Sequence, residues 1–405
     1  MNTQPSKKRI LILGTYPIVQ ARHGGALRAK AVVAEYERQG RPVHYVAVFR
    51  RSSFPNRSLR DIAVGMETDR AIHRRPELED VLCGRAIMDD AKVKAALTKE
   101  LLSFKPDIIQ LEQIYPYLGL KALLVELGLN PVLIFDAHNV ESLMKAEVYE
   151  RQSTGDAGLI AEIEVAERDL ASRAALMWAV SHEDVVVYRE YGAKTVVVAP
   201  NGSFRRPASR TAQEYWRGRP ALARINHALA FISSAHLPNW YGFKAMVGEE
   251  LGYLPPDTRI VMGGELSNYL KKQYERPKTP PQLAFLRRVV FGGRVSDDRL
   301  AGLLEVSEVI LLPITSGGGS SLKTAEALLA GKKIVATPFA FRSFEQYRDY
   351  PGIWLAATQA EFQQAITAAM AAPPVVERTA EQVAALSGLQ WSACLREAVG
   401  EAVKI

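Results

Sequence analysis

Short apolar runs rich in β-branched residues alternate with longer helical patterns along the whole chain. That alternation restricts the chain to layered α/β architecture with parallel sheets. In the first half, strands are expected at 9–13, 43–48, 107–111, 132–135, 176–180 and 195–199. Helical stretches lie between them, such as 27–39, closed by Gly40, and 161–173. The pattern then begins again, with strands expected at 228–233, 259–262, 289–291, 309–312, 334–337 and 353–355. Two doubly wound sheets are implied, and 405 residues are too many for one compact core.

The turn Pro200-Asn201-Gly202 and the polar stretch after it, with Arg205, Arg206, Pro207, Arg210, Arg217, Arg219 and Pro220, mark the junction. We therefore expect a first domain over 1–205, a second over 206–385, and a C-terminal helix within 386–405 that packs back on the first. Ala372-Pro373-Pro374 interrupts a helix before the last helical stretch, at about 391–403. No fixed-period repeat is present, which argues against a solenoid.

No apolar run approaches the roughly 20 residues needed to cross a bilayer. The polar N-terminus lacks a small-residue cleavage site, so a cytoplasmic protein is expected. Cys83 and Cys394 stand far apart, without the thiol or histidine spacing of a metal site. The formal charge of +7 favours anionic partners without naming one. Eight arginines against three acids in 41–75 form either a solvated loop or a basic patch for a partner or an anionic membrane surface.

In open parallel sheets, ligands bind beyond the carboxyl ends of the strands. Three segments fall there. Gly14-Thr15-Tyr16-Pro17 and His23-Gly24-Gly25 follow the first strand and precede a helix. They read either as a plain connecting loop or as an anion-attracting helix start that admits close backbone approach. The spacing is not GxGxxG, which weighs against a nicotinamide dinucleotide.

Ser316-Gly317-Gly318-Gly319-Ser320-Ser321-Leu322-Lys323-Thr324-Ala325-Glu326 follows the strand ending near Leu312. Consecutive glycines before a helix expose amides at its positive end, which suits a diphosphate, and Lys323 on the first turn opposes the helix dipole unless an anion lies nearby. Glu326, one turn further, is either a solvated glutamate or a carboxylate for the vicinal hydroxyls of a ribose. The third segment, Phe135-Asp136-Ala137-His138-Asn139-Val140-Glu141, reads as a turn and helix cap or as a site. His138 there suits general acid/base chemistry or a hydrogen bond to a sugar hydroxyl.

These residues resemble the GT-B glycosyltransferases, most closely glycosyltransferase family 4. The resemblance rests on Phe291-Gly292-Gly293-Arg294-Val295-Ser296-Asp297, Leu312-Pro313, Gly317 to Lys323, and the run from Glu326 to Thr337. Weaker matches are Gly24-Gly25 with Arg28, 136–141, Val180-Ser181, Pro200-Asn201-Gly202, Pro238-Asn239 and Trp391.

It implies two Rossmann-like domains facing a central cleft, and transfer of a sugar from a nucleotide diphosphate sugar, with retention and without metal or other cofactor. By this resemblance Gly317, Gly318, Gly319, Ser320, Ser321, Lys323, Glu326, Arg294 and His236 hold the donor. Gly24, Gly25, Arg28 and Asn139 lie on the acceptor or sugar side, and His138 and Lys323 are catalytic. The basic residues of 41–75 lie in the half that would face the acceptor, so a glycan, lipid-linked or other acceptor of polysaccharide biosynthesis is expected, met at the inner face of the membrane; nucleic acid is not an expected partner. One departure is explicit. Many relatives carry a glutamate eight residues before the match to Glu326, and here that position is Gly318. An inactive nucleotide-sugar-binding protein and a GT-B epimerase or phosphorylase are the alternatives.

Overall fold

The computed structural model describes all residues except 1–6, 22, 153–155, 205–206, 224, 235–236, 277–278 and 318–319. Its contacts divide the chain into two compact units. The first comprises the chain up to Pro200, together with Ser320 and Trp391–Ile405; the second comprises Asn201–Gly317 and Ser321–Gln390.

In the first unit the strands are β1 (Ile10–Gly14), β2 (Val43–Phe49), β3 (Ile62–Ala63), β4 (Ile108–Glu112), β5 (Val132–Ala137), β6 (Leu176–Ala179) and β7 (Val196–Val198). They form one parallel sheet in the order β3-β2-β1-β4-β5-β6-β7. The second unit contains β8 (His227–Ile232), β9 (Thr258–Gly263), β10 (Val289–Gly293), β11 (Val309–Leu312), β12 (Lys333–Ala336) and β13 (Ile353–Leu355). Its sheet is also parallel, in the order β10-β9-β8-β11-β12-β13. Both units are Rossmann-like. Strand order reverses between β1 and β4 and between β8 and β11, and loops at the carboxyl ends of those pairs are where such sheets take ligands. All twelve expected strands are present, and β3 is additional.

Each sheet is covered on both faces, as parallel sheets require. In β8, Leu229 and Phe231 enter one apolar cluster with Trp240, Phe243 and Phe362, while Ala230 between them enters another with Trp216, Leu303 and Phe341. This two-residue alternation is what divides one strand between two layers. After β9, Gly264 takes φ +96°, and a Cβ there would collide with the Ser233 carbonyl oxygen. A glycine is therefore required for the loop after β8 to pack against the start of the next helix.

The chain returns to the first unit at its end. Helices Trp391–Cys394 and Arg396–Ala402 pack on the helix Gly24–Arg38, and the latter also on β6. Trp391, Leu395, Ala398, Val399 and Ala402 are buried, the three- and four-residue spacing of one helical face.

Candidate functional site

Strand β4 is wholly buried, yet it carries Gln110 and Glu112 two residues apart, and hence on one face. In the parallel register Glu112 lies beside Asp136 of β5. The helix Gly24–Arg38 brings Arg28 onto the same point. Arg28 Nε donates to both Asp136 oxygens at 3.0 Å and Nη2 donates to Oδ1 at 2.6 Å, while Nη1 donates to the Ala199 carbonyl at 2.8 Å. Arg28 is 1% exposed and Asp136 0%. Burial pushes the Asp136 carboxyl above its ordinary value, and the charge and hydrogen bonds of the guanidinium pull against it.

His138, 7% exposed, places Nε2 3.0 Å from Glu112 Oε2 and Nδ1 3.5 Å from the Tyr16 hydroxyl. Burial pushes Glu112 up to about 7 against the pull of Arg28, and pushes His138 down to about 4 against that of Asp136. The imidazole is therefore neutral. Gly25 opens the helix start beside it: a Cβ would stand 2.6 Å from the Tyr16 hydroxyl and 3.4 Å from His138 Nδ1. His23 caps this helix, accepting from Ala26 N at 3.4 Å, and its ring meets Tyr16 edge-on.

Among the described residues, Glu112, Asp136 and His138 bring one ligand-type atom each within 4.8 Å of one another. Arg28 occupies both oxygens of Asp136, so the positive charge at this point is supplied by the chain's own guanidinium.

Behind His138, the helix Glu141–Gln152 is capped from another element. Glu167, in the helix Ala157–Arg173, accepts from Glu141 N at 2.7 Å, Ser142 N at 3.2 Å and Ser142 Oγ at 2.5 Å. Glu141 in turn accepts from Tyr115 at 2.6 Å and from Asn139 Nδ2 at 3.0 Å. Asn139 thus holds its own turn, and the segment 136–141 is both a structural cap and the base of the His138 cluster.

In the second unit, Ser321 caps the helix Leu322–Ala330 by accepting from Thr324 N at 3.4 Å, and Thr324 Oγ1 donates to the Ala340 carbonyl at 2.6 Å. Lys323, on the first turn, donates from Nζ to Asn239 Oδ1 at 2.7 Å. Asn239 Nδ2 donates at 3.4 Å to the carbonyl of Ser234, in the loop after β8. These bonds join the segments that follow β8 and β11, the two strands where the order reverses. Burial pushes Lys323 down to about 8 against the opposing pull of Glu326. Glu326 lines a pocket of about 500 Å³ with Phe204, Asp297, Leu300, Leu304 and Gln390.

Of the residues expected to hold a donor, Ser321, Lys323 and Glu326 lie together on one helix start. Gly317 takes φ +126° in the preceding loop, Arg294 is exposed after β10, and Ser320 is buried in the first unit. Gly318, Gly319 and His236 lie outside the described residues. Gly24, Gly25, Arg28 and His138 converge in the first unit. Sequence reasoning missed Glu112 and Gln110, for which two polar residues at i, i+2 inside an otherwise apolar run were the available signal; Tyr16 lay in a segment singled out from the sequence, without a role of its own.

The fold is shared with solved proteins. Sucrose-phosphate synthase from Thermosynechococcus elongatus superposes with a TM-score of 0.72 at 15% identity, covering 98% of each chain. HepE from Anabaena, solved with UDP, gives 0.65 at 15% identity over 98% of this chain and all of HepE; it has also been solved with UDP-glucose. WaaG, a glycosyltransferase involved in lipopolysaccharide biosynthesis, gives 0.58 at 13% identity over 96% of this chain and 95% of WaaG. The fold class is therefore that of the GT-B proteins, two Rossmann-like parallel-sheet domains. No protein-family model matches the sequence, and no curated protein does.

Proposed function

We propose that the chain is a glycosyltransferase of the family 4 type. It moves a sugar from a nucleotide diphosphate sugar to a glycan or lipid-linked acceptor, with retention and without metal. The observation that carries the reading is Lys323. It is a desolvated cation on the first turn of a helix that follows a glycine run, held by Asn239 at the reversal point of the second sheet. Such a point takes a diphosphate: amides and ammonium meet the charge that develops as the anomeric carbon–oxygen bond breaks.

Glu326, one turn on and facing a pocket large enough for a nucleoside, takes the ribose hydroxyls. The acceptor oxygen bonds to the anomeric carbon as the donor oxygen leaves, and the acceptor's proton passes to the departing phosphate. No protein nucleophile is then required. Gly24, Gly25 and His138 belong to the sugar and acceptor side. HepE, with its UDP and UDP-glucose complexes, supports a uridine nucleotide as the first donor to try.

An alternative, a nucleotide-sugar-binding protein without turnover, draws on Gly318 standing where many relatives carry a glutamate. Calorimetric titration with UDP-, GDP- and ADP-sugars, paired with a nucleotide-release assay, separates the two. Binding with release supports transfer, binding alone across a broad acceptor panel supports the alternative, and no binding removes both.

Among the described residues no helix is long and apolar enough to cross a membrane. Arg51, Arg57, Arg70 and Arg74 are exposed in a segment that also exposes Leu59 and Met66, the composition of a peripheral contact with anionic lipid. Equal recovery of the protein from sedimented neutral and anionic vesicles counts against that contact.

A further inference from the structure

With His138 read as the ligand-facing group of the proposed transferase, the carboxyl of Glu112 stands behind it. Tyr36 donates its hydroxyl to Gln110 Oε1 at 2.7 Å, which orients that amide, and Gln110 Nε2 then donates to Glu112 Oε1 at 3.2 Å. Oε1 is thus committed as an acceptor. Any proton that Glu112 carries sits on Oε2, 3.0 Å from His138 Nε2. Both side chains are buried, so the proton between them is held by this geometry and not by water.

We infer that Glu112 sets the tautomer of His138 and thereby decides whether Nδ1 offers the ligand a donor or an acceptor. With Oε2 protonated, it donates to Nε2 and the imidazole carries its hydrogen on Nδ1. On ionisation the Oε2 proton passes to Nε2, the Nδ1 proton leaves, and Nδ1 becomes a bare acceptor for a sugar or acceptor hydroxyl. The Tyr16 hydroxyl, 3.5 Å from Nδ1, can donate or accept and so accommodates both states.

The surrounding charged and titratable groups come from several elements: Arg28 and Tyr36 on the first helix, His23 at its cap, where burial lowers the imidazole, Asp136 on β5, Asp80 in the helix Glu79–Asp89, and Glu141. The phenols of Tyr16 and Tyr45 stay protonated, burial raising both. Burial holds His138 well below the neutral range, which excludes an imidazolium, and places the Glu112 transition at about 7. Glu112 is a positioning residue in this scheme.

Nitrogen-15 NMR of histidine-labelled protein reads the tautomer directly. The His138 signals should pass from the Nδ1–H to the Nε2–H pattern as pH rises through about 7. In E112Q, whose amide nitrogen is directed at Nε2 by Gln110, they should keep the Nδ1–H pattern throughout. A wild-type His138 fixed in one tautomer, or one that becomes imidazolium on acidification within the folded range, overturns the inference, and this reading does not depend on E112Q folding. An E112Q titration identical to wild type overturns it equally. If the tautomer change occurs but no nucleotide sugar is ever turned over, the inference stands and the transferase reading alone fails.

Discussion

Lys323 Nζ lies 2.7 Å from Asn239 Oδ1, so the ammonium at the start of the helix Leu322–Ala330 is held by a neutral amide oxygen. Burial lowers its pKa to about 8. A bound diphosphate reverses that balance. Donor binding should therefore take up protons at pH 8 and above, and affinity should fall as pH rises past that value. Calorimetry in buffers of different ionisation heat measures the uptake; identical heats in all buffers would show that Lys323 does not meet the anion. K323A should weaken donor binding about 10- to 100-fold, the worth of a charge-assisted hydrogen bond.

Glu326 should act on binding and not on the chemical step. E326A is expected to raise the donor KM about tenfold while kcat changes little. A nucleoside diphosphate lacking the 2′-hydroxyl should then bind wild type and variant alike. If the variant leaves KM unchanged, the pocket it lines holds something other than the ribose.

The Arg28–Asp136 pair makes a purely structural prediction. Removing one member strands the other's charge in the interior, so R28A should lose about 3–5 kcal/mol of stability in urea denaturation. R28M combined with D136L should lose much less than R28A, because both charges leave together. A surface-like loss below 1 kcal/mol in R28A would mean that the pair is not buried in solution.

Glu112 ties stability to pH with a definite sign. Its folded pKa, about 7, is above the unfolded value, so its protonated form stabilises the fold at low pH and that contribution is lost as pH rises through about 7. E112Q cannot ionise. Its stability relative to wild type should rise between pH 5 and pH 8 by on the order of 2–3 kcal/mol, read from urea midpoints at the two values. A constant difference would place the ionised carboxylate at no cost in the interior.

The strand pattern was legible because parallel strands covered on both faces read as apolar runs. Only β3 escaped: two residues, Ile62 and Ala63, are too few to show a period, and they are extended by pairing with Val48 and Phe49. The helix start at 322 was equally readable from Ser321 and the glycines before it. What the sequence could not show were pairings made by topology. Asn239 and Lys323 are 84 residues apart, and Arg28 and Asp136 are 108 apart. Each pair meets because strand order reverses between the elements that carry its members. Arg28, expected to face the acceptor, is engaged with an interior carboxylate, and Asn139, expected beside it, bonds to Glu141 in its own turn.

The helices Trp391–Cys394 and Arg396–Ala402 rest on the helix Gly24–Arg38, which is translated before the whole of the second unit. A nascent chain paused anywhere before residue 391 leaves that early surface uncovered while the whole second sheet is still being made. The first unit thus waits for a segment translated after the second, and removal of the two helices that begin at Trp391 should be felt first in the first unit.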